Sequence, residues 1–201
     1  MNATGLFDII RIRRSIRHYR DQPVPVEVLH RLLDAARWAP SAHNRQPWRF
    51  VVITERARRE SLARAMGERF RSDLAADGVP GEHIDRQVGR SRQRISTAPA
   101  LVVVCLSMAD MDRYPDARRQ NAERTMAVQS VALAVQNLLL MAHAEGLGAC
   151  WMCAPLFCAD VVRDELSLAA DWEAQALITI GYPAEERESK RQPLETVTLW
   201  Y

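Results

Sequence analysis

The run ALVVVCL, from Ala100 to Leu106, is short and apolar at every position, and it constrains this chain more than any other segment. Such a run reads as a buried strand, and a buried strand needs other elements to cover it. FVVIT (Phe50 to Thr54) and ALITIGY (Ala176 to Tyr182) are similar, and ACWM after Gly148 adds a fourth short candidate. Helical patterns fill the intervals. Thr4 can cap a first helix through about Arg14, and Pro25 opens a second with Val28, Leu32 and Ala36 on one face, ended by Pro40. Glu55 to Leu74 reads as a charged helix, broken by Gly78, Pro80 and Gly81 before another from Glu82 to about Ile95. The apolar-rich stretch Thr125 to Leu147 is interrupted by Gln129, Ser130, Gln136, Asn137, His143 and Glu145, which marks a buried helix ending at Glu145-Gly146 rather than a membrane span. A helix from about Cys158 to Leu166 follows, and the tail LETVTLWY alternates like a strand. Three or four short strands among five or six helices predict an α+β fold. With no repeat or flexible linker, residues 1–201 are expected to form a single domain.

Apolar residues at 48% and charged residues at 26% are the balance of a soluble globular protein, and a formal charge of +2 is too small to make it a nucleic-acid binder by bulk charge. Asp8, Arg11, Arg13 and Arg14 interrupt the N-terminal apolar residues, which argues against a secretory signal. The four cysteines lie in or beside apolar segments without the look of an extracellular disulfide framework, so a cytoplasmic location without membrane contact is expected. One imbalance stands out. Lys190 is the single lysine, so 26 of the 27 basic residues are arginine. Coding bias would produce this excess, and so would planar, bidentate recognition of anions.

Four constellations could carry chemistry. Arg11, Arg13, Arg14, Arg17 and Arg20 surround Ser15, and helical spacing would put Arg13, Arg17 and Arg20 near one face. There they repel unless an anion sits between them, and guanidinium forks plus a hydroxyl suit a phosphate; the plainer reading is a solvated basic face. The segment PSAHNRQPW, Pro40 to Trp48, is an unusually polar connection into a buried strand. Its Asn44 and Gln46 amides suit a heterocycle with alternating donors and acceptors, His43 is a candidate acid or base, and a self-hydrogen-bonded loop accounts for the pattern equally well. Cys150 and Cys153 form C-x-x-C, with Cys158 after and His143 before, but their apolar surroundings favour buried small side chains over zinc or dithiol chemistry. Arg86, Arg90, Arg92 and Arg94 are either a solvated helix face or a positive rim for an acidic substrate. No G-x-G-x-x-G after a strand, P-loop or G-x-S-x-G is present.

Taken together, RRSIRHY, APSAHNRQPWRFVVI, QNLLLMAHAEGLGACWM and KRQPLETV resemble, in order, the four motifs of the FMN-dependent nitroreductase family. Within it, APSAHNRQPWRFVV, RSDLAADGVP, CWMCAPLFCADVVRDEL and IGYPAEE are most similar to the FMN-binding C-terminal domain of the γ-glutamyl ligase of the deazaflavin coenzyme, although no ligase domain is present in this sequence. The resemblance implies a short mixed sheet flanked by helices around a long central helix, in an intertwined homodimer with FMN at the interface. It implies a ping-pong oxidoreductase carrying hydride from NAD(P)H to a nitroaromatic, quinone or acidic deazaflavin precursor. A non-redox flavin-binding module serving a separate ligase is the alternative, and oxygen-dependent flavin breakdown or dehalogenation a third.

By position, the resemblance assigns Arg13, Ser15 and Arg191 to the phosphate and Arg14 and Arg17 to the flavin pyrimidine. Pro40, Ser41, Ala42 and Asn44 would come from the partner chain, with Gln46 supporting that loop. Cys153, Ala154, Pro155 and Leu156 would face the hydride-accepting nitrogen. The family places a backbone N–H there; Pro155 has none, so Leu156 or Ala154 must supply it, or that contact is lost. A family lysine two residues before Arg191 falls on Ser189, with Lys190 adjacent. Hydride transfer needs no protein acid or base, so no catalytic residue and no metal are expected.

Overall fold

The computed structural model describes residues 3–201. In chain order the elements are α1 (Ala3–Ile12), α2 (Val26–Arg37), β1 (Trp48–Ile53), α3 (Arg56–Ala76), α4 (Gly81–Ser96), β2 (Ala100–Leu106), α5 (Ala117–Ala144), β3 (Gly148–Met152), α6 (Ala159–Glu165) and β4 (Glu173–Gly181). Short 3-10 turns lie at Ala42–Asn44, Ala154–Phe157 and Leu194–Thr196.

Strand β2 coincides with the ALVVVCL run, and all of its residues are buried. The reason is its place inside a sheet of order β1-β2-β4-β3, with helices on both faces. Side chains alternate along a strand. Ala100, Val102, Val104 and Leu106 therefore join α2 and α5 in one cluster, while Leu101, Val103 and Cys105 join α3 and α6 in another. β4 does the same with Ile178 and Ile180 on the first face and Leu177 on the second.

Helix α5 has the length and apolarity of a membrane span, but Ala127, Val131, Ala134, Val135 and Leu138 form a buried stripe against the sheet and α2. It is the long central helix that the sequence predicts, begun earlier by the Asp116 cap, whose side chain accepts from the Arg119 amide at 2.9 Å. It stops at Gly146, whose φ of +74 favours glycine.

Several expectations need correction. All three strand pairings are antiparallel, and the parallel component of the expected mixed sheet is one isolated bridge, Ser15 to Ala149. α1 already includes Thr4, so that residue does not mark the helix start, and it ends at Ile12 rather than near Arg14. The alternating tail LETVTLWY forms no strand; Leu194–Thr196 is a 3-10 turn, and Leu199, Trp200 and Tyr201 are exposed. An alternating pattern becomes a strand only where a neighbouring edge accepts its hydrogen bonds, and the tail pairs with none of the four strands.

The segment after α1 runs extended along β3. The Ile16 amide donates to the Ala149 carbonyl at 3.1 Å, and Ile16 is buried. Gly148 permits this approach, because a Cβ there would lie 2.7 Å from the Ile16 Cβ. Replacing Gly148 with Ala is expected to destabilise the protein by about 1–3 kcal/mol through overpacking. Gly89 sits in α4 with open space around it, so Gly89→Ala is expected to stabilise by about 0.5–1 kcal/mol. Urea unfolding of both variants checks the pair; equal midpoints would contradict the packing account.

Candidate functional site

Because the chain is extended after Ile12, the expected helical grouping of Arg13, Arg17 and Arg20 does not form. A period of two replaces it. Arg13, Ser15 and Arg17 alternate with Ile16, which is directed into the core, and Arg20 points elsewhere, donating to the Pro183 carbonyl at 3.1 Å. Tyr19 pins the segment. Its hydroxyl lies 2.7 Å from the Thr179 hydroxyl and donates to the Ile16 carbonyl at 2.5 Å, and burial pushes its pKa up.

The C-terminal segment completes the cluster. Arg13, Arg14, Ser15 and Arg17 share a cavity of about 240 Å³ with Arg187, Glu188, Ser189 and Arg191. Arg187 is paired with Glu185 at 2.6 Å. The guanidiniums of Arg13, Arg14, Arg17 and Arg191 form no salt bridge among the described residues, although the Arg17 backbone amide donates to the Glu185 carboxylate at 2.8 Å. Arg14 and Arg191 donate to backbone carbonyls at 2.6 and 3.1 Å. The Arg14 Nε is buried with no partner among the described residues. Burial, then the neighbouring Arg191 and Arg14, hold the Arg13 pKa below its ordinary value. His143 is likewise lowered by burial and by Arg13 and Arg14. Unpaired guanidiniums crowded around one small cavity with a serine hydroxyl are a site for a phosphate-sized anion.

Pro40, Ser41, Ala42, Asn44 and Gln46 lie elsewhere in the protomer and line none of that cavity. Their loop is rigidly held. The Gln46 amide donates to the Ser41 Oγ at 3.0 Å, and the Gln46 side chain reaches the Asn44 Oδ1 at 3.4 Å. The buried Ser130 hydroxyl accepts the Ala42 amide at 3.3 Å, and Arg45 pairs with Asp112 at 2.7 Å. His43, Asn44 and Gln46 have φ of 49, 55 and 50, left-handed values that non-glycine residues rarely adopt. Strain of this kind persists where surrounding contacts over-determine it. Pro40, Asn44 and Gln46 are exposed, so the loop is preformed and faces outward.

Residues 10–182 match the model of the nitroreductase family. The chain belongs to that family. It is 35% identical to an NADH dehydrogenase of Thermus thermophilus, over 94% of this chain and 92% of the relative. It is 33% identical to a 5,6-dimethylbenzimidazole synthase of Rhodospirillum rubrum, over 90% and 83% respectively. A Desulfovibrio desulfuricans structure described as a nitroreductase in complex with FMN superposes with a TM-score of 0.74 at 29% identity, covering 100% of this chain and 98% of that one.

In this nitroreductase-family chain, Cys153 and Leu156 are exposed and Ala154 is half-buried, at and within the turn that follows β3. The Leu156 amide donates to the Cys153 carbonyl at 3.0 Å within this turn. Burial raises the pKa of Cys150 in β3, and Arg17, Arg94 and Arg13 oppose the rise. All four cysteines are free, Cys105, Cys150 and Cys158 are buried, and the described residues contain no group of three or more His, Cys, Asp or Glu placed to hold a metal.

Arg187 and the acidic Glu188 are the lining residues that the sequence pattern does not single out. They sit in the charged run EERESKR and lie beyond the family match, as does Arg191. A larger cavity, about 680 Å³ beside Met108, Tyr114 and Trp172, contains none of the predicted residues. Tyr19→Phe removes the hydroxyl that ties the arginine segment to β4 and is expected to cost about 1–2 kcal/mol in urea unfolding. A loss below about 0.3 kcal/mol would show that the hydroxyl contributes little.

Proposed function

We propose that this protein is an FMN-dependent oxidoreductase that carries a hydride from NAD(P)H to a conjugated acceptor in two half-reactions. The observation that carries the reading is the cavity where the guanidiniums of Arg13, Arg14, Arg17 and Arg191 form no salt bridge among the described residues and Ser15 adds a hydroxyl. It fits the phosphate and anionic edge of a flavin mononucleotide. The family membership and the FMN in the Desulfovibrio structure support the same cofactor. When bound, FMN supplies a two-electron carrier.

The protein's part is binding, orientation and electrostatics. Arg13, Ser15 and Arg191 hold the phosphate. Arg14 and Arg17 lie along the pyrimidine edge, where a guanidinium stabilises the negative charge gained on reduction and so raises the reduction potential. Ala154 donates its amide to the hydride-accepting nitrogen, with Cys153 and Leu156 beside it. Pro40, Ser41, Ala42, Asn44 and Gln46 come from a second copy of the chain. Support for that dimer comes from the outward-facing loop and from exposed apolar side chains, including Phe7 on α1, Leu133 on α5, and Trp200 and Tyr201 in the tail. No side chain acts as acid or base.

Acceptors in this reading are nitroaromatics, quinones or an acidic deazaflavin precursor. A second reading, oxygen-dependent flavin breakdown, draws support from the Rhodospirillum relative, whose product name contains the dimethylbenzene ring that FMN also carries. Anaerobic mixing of the FMN-loaded protein with NADH separates the alternatives. Bleaching followed by reoxidation with an acceptor is expected. Bleaching without acceptor turnover favours a binding module serving a separate ligase, and lasting loss of the flavin spectrum under oxygen favours breakdown. Arg13→Ala is expected to weaken FMN binding by about 1.5–3 kcal/mol. An unchanged dissociation constant removes Arg13 from the phosphate site.

A further inference from the structure

A second cavity, about 580 Å³, lies between α3, α4 and the turn Ala154–Phe157. It reaches Ala154, the residue assigned above to the hydride-accepting nitrogen, and it is independent of the arginine cluster around Ser15. Its apolar wall includes Met66, Phe70 and Phe157. α4 contributes Gln87, Arg90, Ser91 and Arg94, whose spacing of three and four residues puts them on one helix face. Arg90 and Arg94 form no ion pair or hydrogen bond among the described residues, whereas Arg69 in the same groove is paired with Asp160 at 2.6 Å. Two like charges one turn apart repel, and an anion between them removes the penalty. Of the groove's own carboxylates, Asp77 caps α3 at the turn into α4, where Arg71 pairs with Asp85, whereas Arg94 lies at the last turn of α4. Asp73, within α3, acts electrostatically on Arg69 and Cys158.

We infer that this groove binds the anionic arm of an aromatic redox ligand, with Arg90 and Arg94 holding the anion and the apolar wall holding the ring near Ala154. The inference rests on the proposed oxidoreductase reading for the role of Ala154. It divides the basic segment Arg86 to Arg94: Arg90 and Arg94 bind, and Arg86 and Arg92 do not line the groove. A carboxylated or phosphorylated acceptor and the pyrophosphate of the nicotinamide donor share the required chemistry, and the test separates them.

The experiment uses FMN-loaded protein, the Arg90→Gln/Arg94→Gln double variant and Arg86→Gln as control. Calorimetry measures binding of 4-nitrobenzoate and of uncharged 4-nitrobenzamide, and steady-state assays give KM for each and for NADH. The wild type is expected to bind the carboxylate more tightly than the amide. The double variant should weaken carboxylate binding roughly tenfold or more, as for lost charge-assisted hydrogen bonds, with the amide and Arg86→Gln unaffected. If the donor is the occupant, KM for NADH rises in the double variant while the carboxylate preference is absent from the wild type. Equal binding of carboxylate and amide together with an unchanged KM for NADH would overturn the inference. Carboxylate binding that depends on Arg90 and Arg94 without any turnover would keep the groove and reject the hydride-transfer reading.

Discussion

The backbone contact between Ile16 and Ala149 organises the rest of the site. It draws the chain off α1 and along β3, which converts a cluster of arginines from helical to extended spacing. One side of the segment then enters the core through Ile16, and the other presents Arg13, Ser15 and Arg17 to a small cavity. The contact is possible because Gly148 has no side chain, and Tyr19 holds the far end of the segment against Thr179. Burial energy from an apolar residue therefore positions charged neighbours that would otherwise separate. Guanidiniums gathered without carboxylate partners are an unfavourable arrangement by themselves. An anionic ligand turns the same arrangement into a binding site.

The sheet distributes the remaining parts of the proposed site. α2 and α5 cover one face and α3 and α6 the other, while the turn after β3 places Ala154 at the mouth of the α3–α4 groove. The loop at Pro40 to Gln46 takes its shape from Ser130 of α5 and from left-handed backbone at His43, Asn44 and Gln46, and it lines no part of the arginine cavity. A preformed polar loop, an exposed apolar α1 and an apolar tail without a strand partner belong together in a two-chain reading. Each is incomplete alone, and each finds a role if a second copy supplies the missing surface.

Much of this order is legible in the sequence. The apolar run at 100–106 is β2 and that at 176–182 lies in β4 except for Tyr182, since a strand covered on both faces leaves little freedom of interpretation. Gly78, Pro80 and Gly81 likewise mark the α3–α4 turn. The arginine cluster was identifiable by residue, but its geometry was not. Helical continuation past Ile12 was the local default, and only the long-range contact with Ala149 overrides it. Arg187 was hidden for a related reason: a charged tail segment looks solvated until tertiary structure folds it back. The strand pattern of LETVTLWY misleads because alternation reports amphipathic character and says nothing about which chain supplies the neighbouring strand.

The central claim is that one flavin site takes its arginines from one chain and its Pro40 to Gln46 loop from another. Mixed dimers of Arg13→Ala and Asn44→Gly chains test it most directly; glycine removes the Asn44 amide without straining a residue at φ 55. If the site is shared, a mixed dimer has one intact site and one carrying both lesions, and the account predicts one tightly bound FMN per dimer while neither parent binds tightly. If each chain builds its own site, every site in the mixed dimer carries one lesion, and a mixed dimer that binds no FMN tightly would contradict the account.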